Sequence, residues 1–134
     1  MSSSMNDAEL HKFRALFYAS AGSYNLAIQE WTEFLRFSPD DVAAYASRGL
    51  AYASVGNWDK GIEDCNEAIR LDPNYAQAYA NRALAYMDKG DYEQAIADCN
   101  KAFVLDPALA VGLMFTPSNR TLQWLYPMAK RPWN

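Results

Sequence analysis

Residues 42–75 read VAAYASRGLAYASVGNWDKGIEDCNEAIRLDPNY, and residues 76–109 read AQAYANRALAYMDKGDYEQAIADCNKAFVLDPAL. Laid over one another without a gap, the two stretches agree at 16 of 34 positions, among them Tyr45/Tyr79, Arg48/Arg82, Leu50/Leu84, Tyr52/Tyr86, Asp64/Asp98, Cys65/Cys99 and Asp72-Pro73/Asp106-Pro107. Working outward, residues 8–41 fall into the same register with ten matches to the second stretch, including Arg14, Leu16, Tyr18, Gly22, Ile28 and Pro39. Self-similarity at a fixed period marks an array in which each unit is one supersecondary element that buries its apolar face against its neighbours. Three such units stand in tandem.

Within a unit the apolar residues recur at helical spacing, as in Tyr45, Leu50, Tyr52 and Val55, then Trp58, Ile62, Cys65, Ala68 and Ile69. Two helices per unit follow. Between them stand Gly22-Ser23, Gly56-Asn57 and Gly90-Asp91. Glycine there permits a left-handed helix terminus, and the residue after it is expected to accept a hydrogen bond as the next N-cap. Each unit closes on Ser38-Pro39, Asp72-Pro73 or Asp106-Pro107, because proline disfavours helix at the residue before it and lacks an N–H. Every unit is therefore a helical hairpin.

These residues resemble the tetratricopeptide repeat family. The shared pattern is an early aromatic (Tyr45, Tyr79), a small residue at the helix crossing (Ala15, Gly49, Ala83), a tyrosine a turn later (Tyr18, Tyr52, Tyr86), a small residue in the second helix (Ala27, Gly61, Ala95), and the closing proline. The first unit departs from it, with His11 in the aromatic slot and Phe34 where the others carry Ala68 and Ala102. Gly61 is expected to loosen its helix by about 1 kcal/mol relative to alanine. The resemblance implies an all-α, right-handed α-solenoid of three helix-turn-helix hairpins. The divisions are an N-terminal extension 1–7, repeats 8–41, 42–75 and 76–109, and a C-terminal capping helix or tail over 110–134. In that tail Ala108 to Phe115 begins like another first helix, Thr116-Pro117 stops it, and Ser118 to Tyr126 is expected to form the closing helix.

In the family the first helix of each hairpin lines a concave wall. Its counterparts here are Glu9, Lys12, Phe13 and Leu16, then Ala43, Ala46, Ser47 and Leu50, then Gln77, Ala80, Asn81, Leu84 and Asp88. Leu16, Leu50 and Leu84 form an expected stripe, and leucines aligned on such a wall favour a ligand, a partner helix or the chain's own tail lying over them. Some family members hold the terminal carboxylate of cytosolic chaperones with two lysines, an arginine and two asparagines. Of that set Lys12 alone is matched, with Leu16 and Ser47 at the asparagine positions, Gln77 at the second lysine and Asn81 at the arginine.

Composition agrees with a binding module. The chain has 134 residues, 51% of them apolar, and a net charge of −4. All sixteen acidic residues lie before residue 107, whereas the last stretch carries only Arg120, Lys130 and Arg131. An acidic body argues against a nucleic-acid partner, since that affinity rests on clustered Lys and Arg. No apolar run approaches the ~20 residues a membrane span needs, and a reducing cytoplasm is the expected setting. Cys65 and Cys99 lack metal-ligand or CxxC spacing and read as buried thiols. His11 is the only histidine, so a nucleophile–histidine set would have to be built on a packing position. No phosphate-binding glycine loop and no calcium loop occurs. Arg14, Arg48 and Arg82 each have an acid sixteen residues on, Glu30, Asp64 and Asp98, and ion pairing across the hairpin is expected.

The sequence thus predicts a non-catalytic adaptor without cofactor or metal, binding a protein or peptide in the groove. Self-association through a repeat end or the C-terminal segment is the alternative, and capture of a chaperone tail a weaker one.

Overall fold

The period of 34 becomes three helical hairpins in the computed structural model, which describes residues 6–109. The helices are α1 Asp7–Ser20, α2 Tyr24–Phe37, α3 Val42–Ser54, α4 Trp58–Leu71, α5 Ala76–Lys89 and α6 Tyr92–Leu105. Residues 107–109 begin a further helical turn, with the Asp106 side chain accepting from the Leu109 N–H at 3.4 Å. The capping helix expected beyond residue 109 lies outside the described residues.

The turn inside each hairpin is the same. Gly22, Gly56 and Gly90 have φ of 80°, 85° and 97°, the left-handed region that a side chain resists. The next N–H, from Ser23, Asn57 or Asp91, donates back to the carbonyl of Tyr18, Tyr52 or Tyr86 at 2.8–2.9 Å, as in a Schellman terminus. The expected N-caps fare unequally. Asp91 accepts from the Gln94 N–H at 3.5 Å, while the Ser23 and Asn57 side chains make no capping bond. The cap favours an extended backbone, and ψ at Ser23, Asn57 and Asp91 is only 66°, 71° and 79°, so the Asp91 contact is long and the other two are not made. Asn6 and Asp41, whose backbones are extended, do cap, accepting from Glu9 and Ala44 at 2.8 and 2.9 Å.

Each hairpin closes on a crossing of small residues: Ala15 over Ala27, Gly49 over Gly61, Ala83 over Ala95, all buried. In the middle hairpin a Cβ on Gly61 would stand 2.8 Å from the Gly49 carbonyl, and one on Gly49 would stand 2.9 Å from the Gly61 carbonyl and from Cys65 Sγ. Gly61 therefore does more than loosen a helix, because the two backbones meet only where both side chains are missing. The thiols of Cys65 and Cys99 are buried and free, and burial pushes both up to about 12.

Successive hairpins stack in chain order. α3 packs on α2 and α4, α5 packs on α4 and α6, and α3 also touches α5, so these first helices share a layer. Ala44 enters a cluster with Trp31, Phe34 and Leu35 of α2, and Ala78 one with Ala46 and Ala68. Alanine at these positions lets helices approach closely.

Candidate functional site

Arg48 and Arg82 explain how the wall is held. The Arg48 guanidinium donates through Nε and Nη2 to both oxygens of Asp64, at 2.7 and 2.8 Å, and through Nη1 to Thr32 Oγ1 of the preceding hairpin at 3.1 Å. Arg82 repeats the arrangement with Asp98, at 2.8 and 2.7 Å, and with Asn66 at 2.7 Å. Each guanidinium lies between two tyrosine rings, Tyr45 and Tyr52 or Tyr79 and Tyr86, with its Cζ 5.6–5.9 Å from the centroids. These tyrosines are only partly buried except Tyr79. The bond to Asp64 holds the Arg48 guanidinium above its ordinary range, while burial pushes the Asp64 carboxyl up against the pull of Arg48.

The first hairpin breaks the pattern. Glu30 lies 2.7 Å from His11 Nδ1, not on Arg14, and the His11 ring stacks on Phe37 at 6.0 Å. Arg14 is exposed and has no ion-pair partner among the described residues. The expected Arg14–Glu30 pair is therefore replaced. Histidine in the aromatic slot supplies a nearer partner, and the described residues place no hairpin before α1 to bury the guanidinium. His11 is thus a packing residue tied to an acid.

The wall residues divide into three groups. Glu9, Lys12, Phe13, Leu16, Ala43 and Asp88 are exposed, and Ser47, Leu50, Gln77 and Leu84 are half-buried. Ala46, Ala80 and Asn81 are buried and act through shape. The Asn81 amide is engaged at both ends, since Nδ2 donates to the Ala46 carbonyl at 2.8 Å and Oδ1 accepts from Gln77 Nε2 at 2.7 Å. Asn81 is thus tied to α3, and Gln77 to Asn81 within α5.

The structure brings Leu16, Ser47 and Leu50 together around a recess of about 100 Å³ between the first and second hairpins. Ala19, Tyr24, Trp31 and Ala51 complete it, and sequence reasoning did not find them. Trp31 occupies the register of Cys65 and Cys99, which read as interior, and its size there was the available signal. Trp31 is 3% exposed, and its indole Nε1 has no hydrogen-bond partner among the described residues. Such an orphaned donor carries an unmet desolvation cost. A second, wider recess lies between Asn74, Gln77, Leu105 and Leu109. Among the described residues no group of three His, Cys, Asp or Glu side chains converges on a metal position, and no helix is long and apolar enough to cross a membrane.

Comparison with known proteins agrees with this architecture. No curated protein sequence matches the chain significantly. Solved structures do. The TPR2B domain of yeast Sti1, in its complex with pHsp70, is 28% identical, with 92% of this chain and 95% of that one covered and a TM-score of 0.74. The second TPR of Spaghetti (RPAP3), bound to the HSP90 peptide SRMEEVD, is 27% identical over 75% of this chain and 94% of that one, with a TM-score of 0.70. The first TPR domain of human RPAP3 is 23% identical over 94% and 97%, with a TM-score of 0.75, and speaks for the fold alone. The model of the tetratricopeptide repeat matches residues 42–75 and 76–109, half of the chain. With the repeated turn, the small-residue crossings and the stacked first helices, that match establishes that the chain belongs to the tetratricopeptide repeat family.

Proposed function

We propose that the protein is a non-catalytic interaction adaptor that holds a peptide or partner helix against the wall formed by α1, α3 and α5. The observation that carries this reading is the mostly apolar recess between the first two hairpins, lined by Leu16, Leu50 and Trp31 with Ser47 as its polar member. Apolar pockets with a few placed polar groups are the ordinary form of a ligand site. An engineered apolar cavity of ~150 Å³ admits benzene, so this one is of the size to take one branched side chain. Lys12 on α1 and Gln77 and Asp88 on α5 would border the bound segment. A reducing, cytoplasmic setting belongs to the same reading, because both cysteines are buried free thiols.

The test is capture from lysate by the wild-type chain and by Leu16→Asp/Leu50→Asp, both checked for an intact melt. Partners retained only by the wild type support the groove. An identical set on both would overturn it.

A second reading, capture of a chaperone tail, is favoured by the relatives bound to pHsp70 and to SRMEEVD. Lys12 is its one matching cation, and the engagement of Asn81 and Gln77 speaks against it. Titration with SRMEEVD and with its C-terminal amide decides it, because carboxylate capture requires that amidation weaken binding.

A further inference from the structure

The faces by which α3 and α5 dock on the hairpin before them are defined by four register positions. They are Ala44, Ser47, Arg48 and Ala51 on α3 and Ala78, Asn81, Arg82 and Ala85 on α5. Ala44 packs with Trp31 and Leu35, Ala85 packs with Ala53 and Ile62, Asn81 bonds the Ala46 carbonyl, and the two arginines reach Thr32 and Asn66. The same positions on α1 are Leu10, Phe13, Arg14 and Phe17. Phe13 is 58% exposed and Phe17 59%, and Arg14 is exposed as well. α1 thus presents the face that its successors bury, with larger apolar side chains than theirs and a cation in its middle. This surface is distinct from the recess between the first two hairpins.

We propose that this outer face of α1 docks an amphipathic helix of a partner protein that sets slim apolar residues against Phe13 and Phe17 and an acidic side chain opposite Arg14. Two features of the molecule choose this occupant. The interface is one the chain already builds twice, always with a helix surface that offers the arginine an acceptor from across the junction. The charge is complementary only to an acceptor. A second copy pairing through α1 would bring two Arg14 side chains together, because Arg14 lies at the centre of the helix Asp7–Ser20, and like charges juxtaposed at an interface disfavour the pairing.

The probe is a synthetic lactam-bridged peptide of residues 57–72 carrying Gly61→Ala, since α4 presents Ile62 and Asn66 to α5 in the native stack. It is titrated against the full chain, alongside a second version with Asn66→Asp. The acidic version is expected to bind the wild type more tightly than the amide version, and Arg14→Glu should reverse that order. Phe13→Ala/Phe17→Ala should weaken both by about tenfold, as expected when anchors are removed from an interface. Leu16→Asp/Leu50→Asp should leave both unchanged, so that failure here and failure of the groove reading are separable. Melting curves confirm that each variant is folded. Absence of binding, binding sensitive to the leucine variant alone, or an unchanged order in Arg14→Glu would each overturn the proposal. So would a dimer in light scattering that Phe17→Ala dissolves, since the occupant would then be a second copy.

Discussion

In the second and third hairpins a guanidinium grips its own hairpin's aspartate with two bonds and reaches one residue of the hairpin before it. In the first, the equivalent arginine stands in solvent while the acid turns to a histidine. The residues at these positions are nearly the same, Arg14-Glu30 against Arg48-Asp64 and Arg82-Asp98. Identity of side chain therefore does not decide identity of role. A paired guanidinium forms where a neighbour buries it and a ring stands on either side, and the first hairpin lacks both the preceding neighbour among the described residues and the early tyrosine.

The difference is open to measurement, and the largest effect tests it most directly. Arg48→Ala or Arg82→Ala leaves a buried aspartate, 6% or 3% exposed, without its partner. Breaking such a pair costs about 3–5 kcal/mol, whereas Arg14→Ala should cost less than ~0.5 kcal/mol as a surface change. Denaturant midpoints of the three variants, at a common m-value, check this. Equal midpoints would erase the distinction between the hairpins.

The middle hairpin can be separated from its neighbours by one methyl group. Gly61→Ala should destabilise by about 1–3 kcal/mol through overpacking against the Gly49 carbonyl, despite the gain in helix propensity. The reciprocal change Ala27→Gly in the first hairpin should cost about 2 kcal/mol, the propensity difference plus the loss of one buried methyl. A stabilised Gly61→Ala would show that the close crossing is not what the glycines serve.

A smaller effect per unit of pH distinguishes the hairpins that carry cysteine from the one that carries tryptophan. The folded thiols titrate at about 12 rather than near the ordinary 9. Between those values the unfolded chain releases protons that the folded one keeps, so stability falls as pH rises through the window. The slope is up to about 1.4 kcal/mol per pH unit for each thiol. Cys65→Ala/Cys99→Ala should flatten the alkaline limb of a stability–pH curve, although its neutral baseline will be lower. A limb unchanged by the substitution would assign the alkaline loss to other groups.

The hairpins were legible because they rest on short-range physics written at a fixed period: glycine at the turn, proline at the end, apolar residues every three to four. Pairing of Arg48 with Asp64 and of Arg82 with Asp98 was legible for the same reason, both partners recurring together. What escaped depends on the junctions between units. Nothing local in Trp31 announces that it lines a recess shared with Leu50, or that Asn81 turns inward onto Ala46 rather than outward to a ligand. Likewise the exchange of Arg14 for His11 at Glu30 is set by what stands next to α1, which a register alignment does not contain.

The bond from Arg48 to Thr32 and its twin from Arg82 to Asn66 tie neighbours only one step at a time. In an array coupled solely between neighbours, the free energy of opening depends on how many junctions a segment loses. The middle hairpin loses two and the first loses one. Amide protons of α3 and α4 are then the last to exchange, whereas those of α1 come and go in a partial opening that leaves the other two hairpins closed. A partner seated on α1 would act on that opening as a latch, slowing exchange first in the helix it touches.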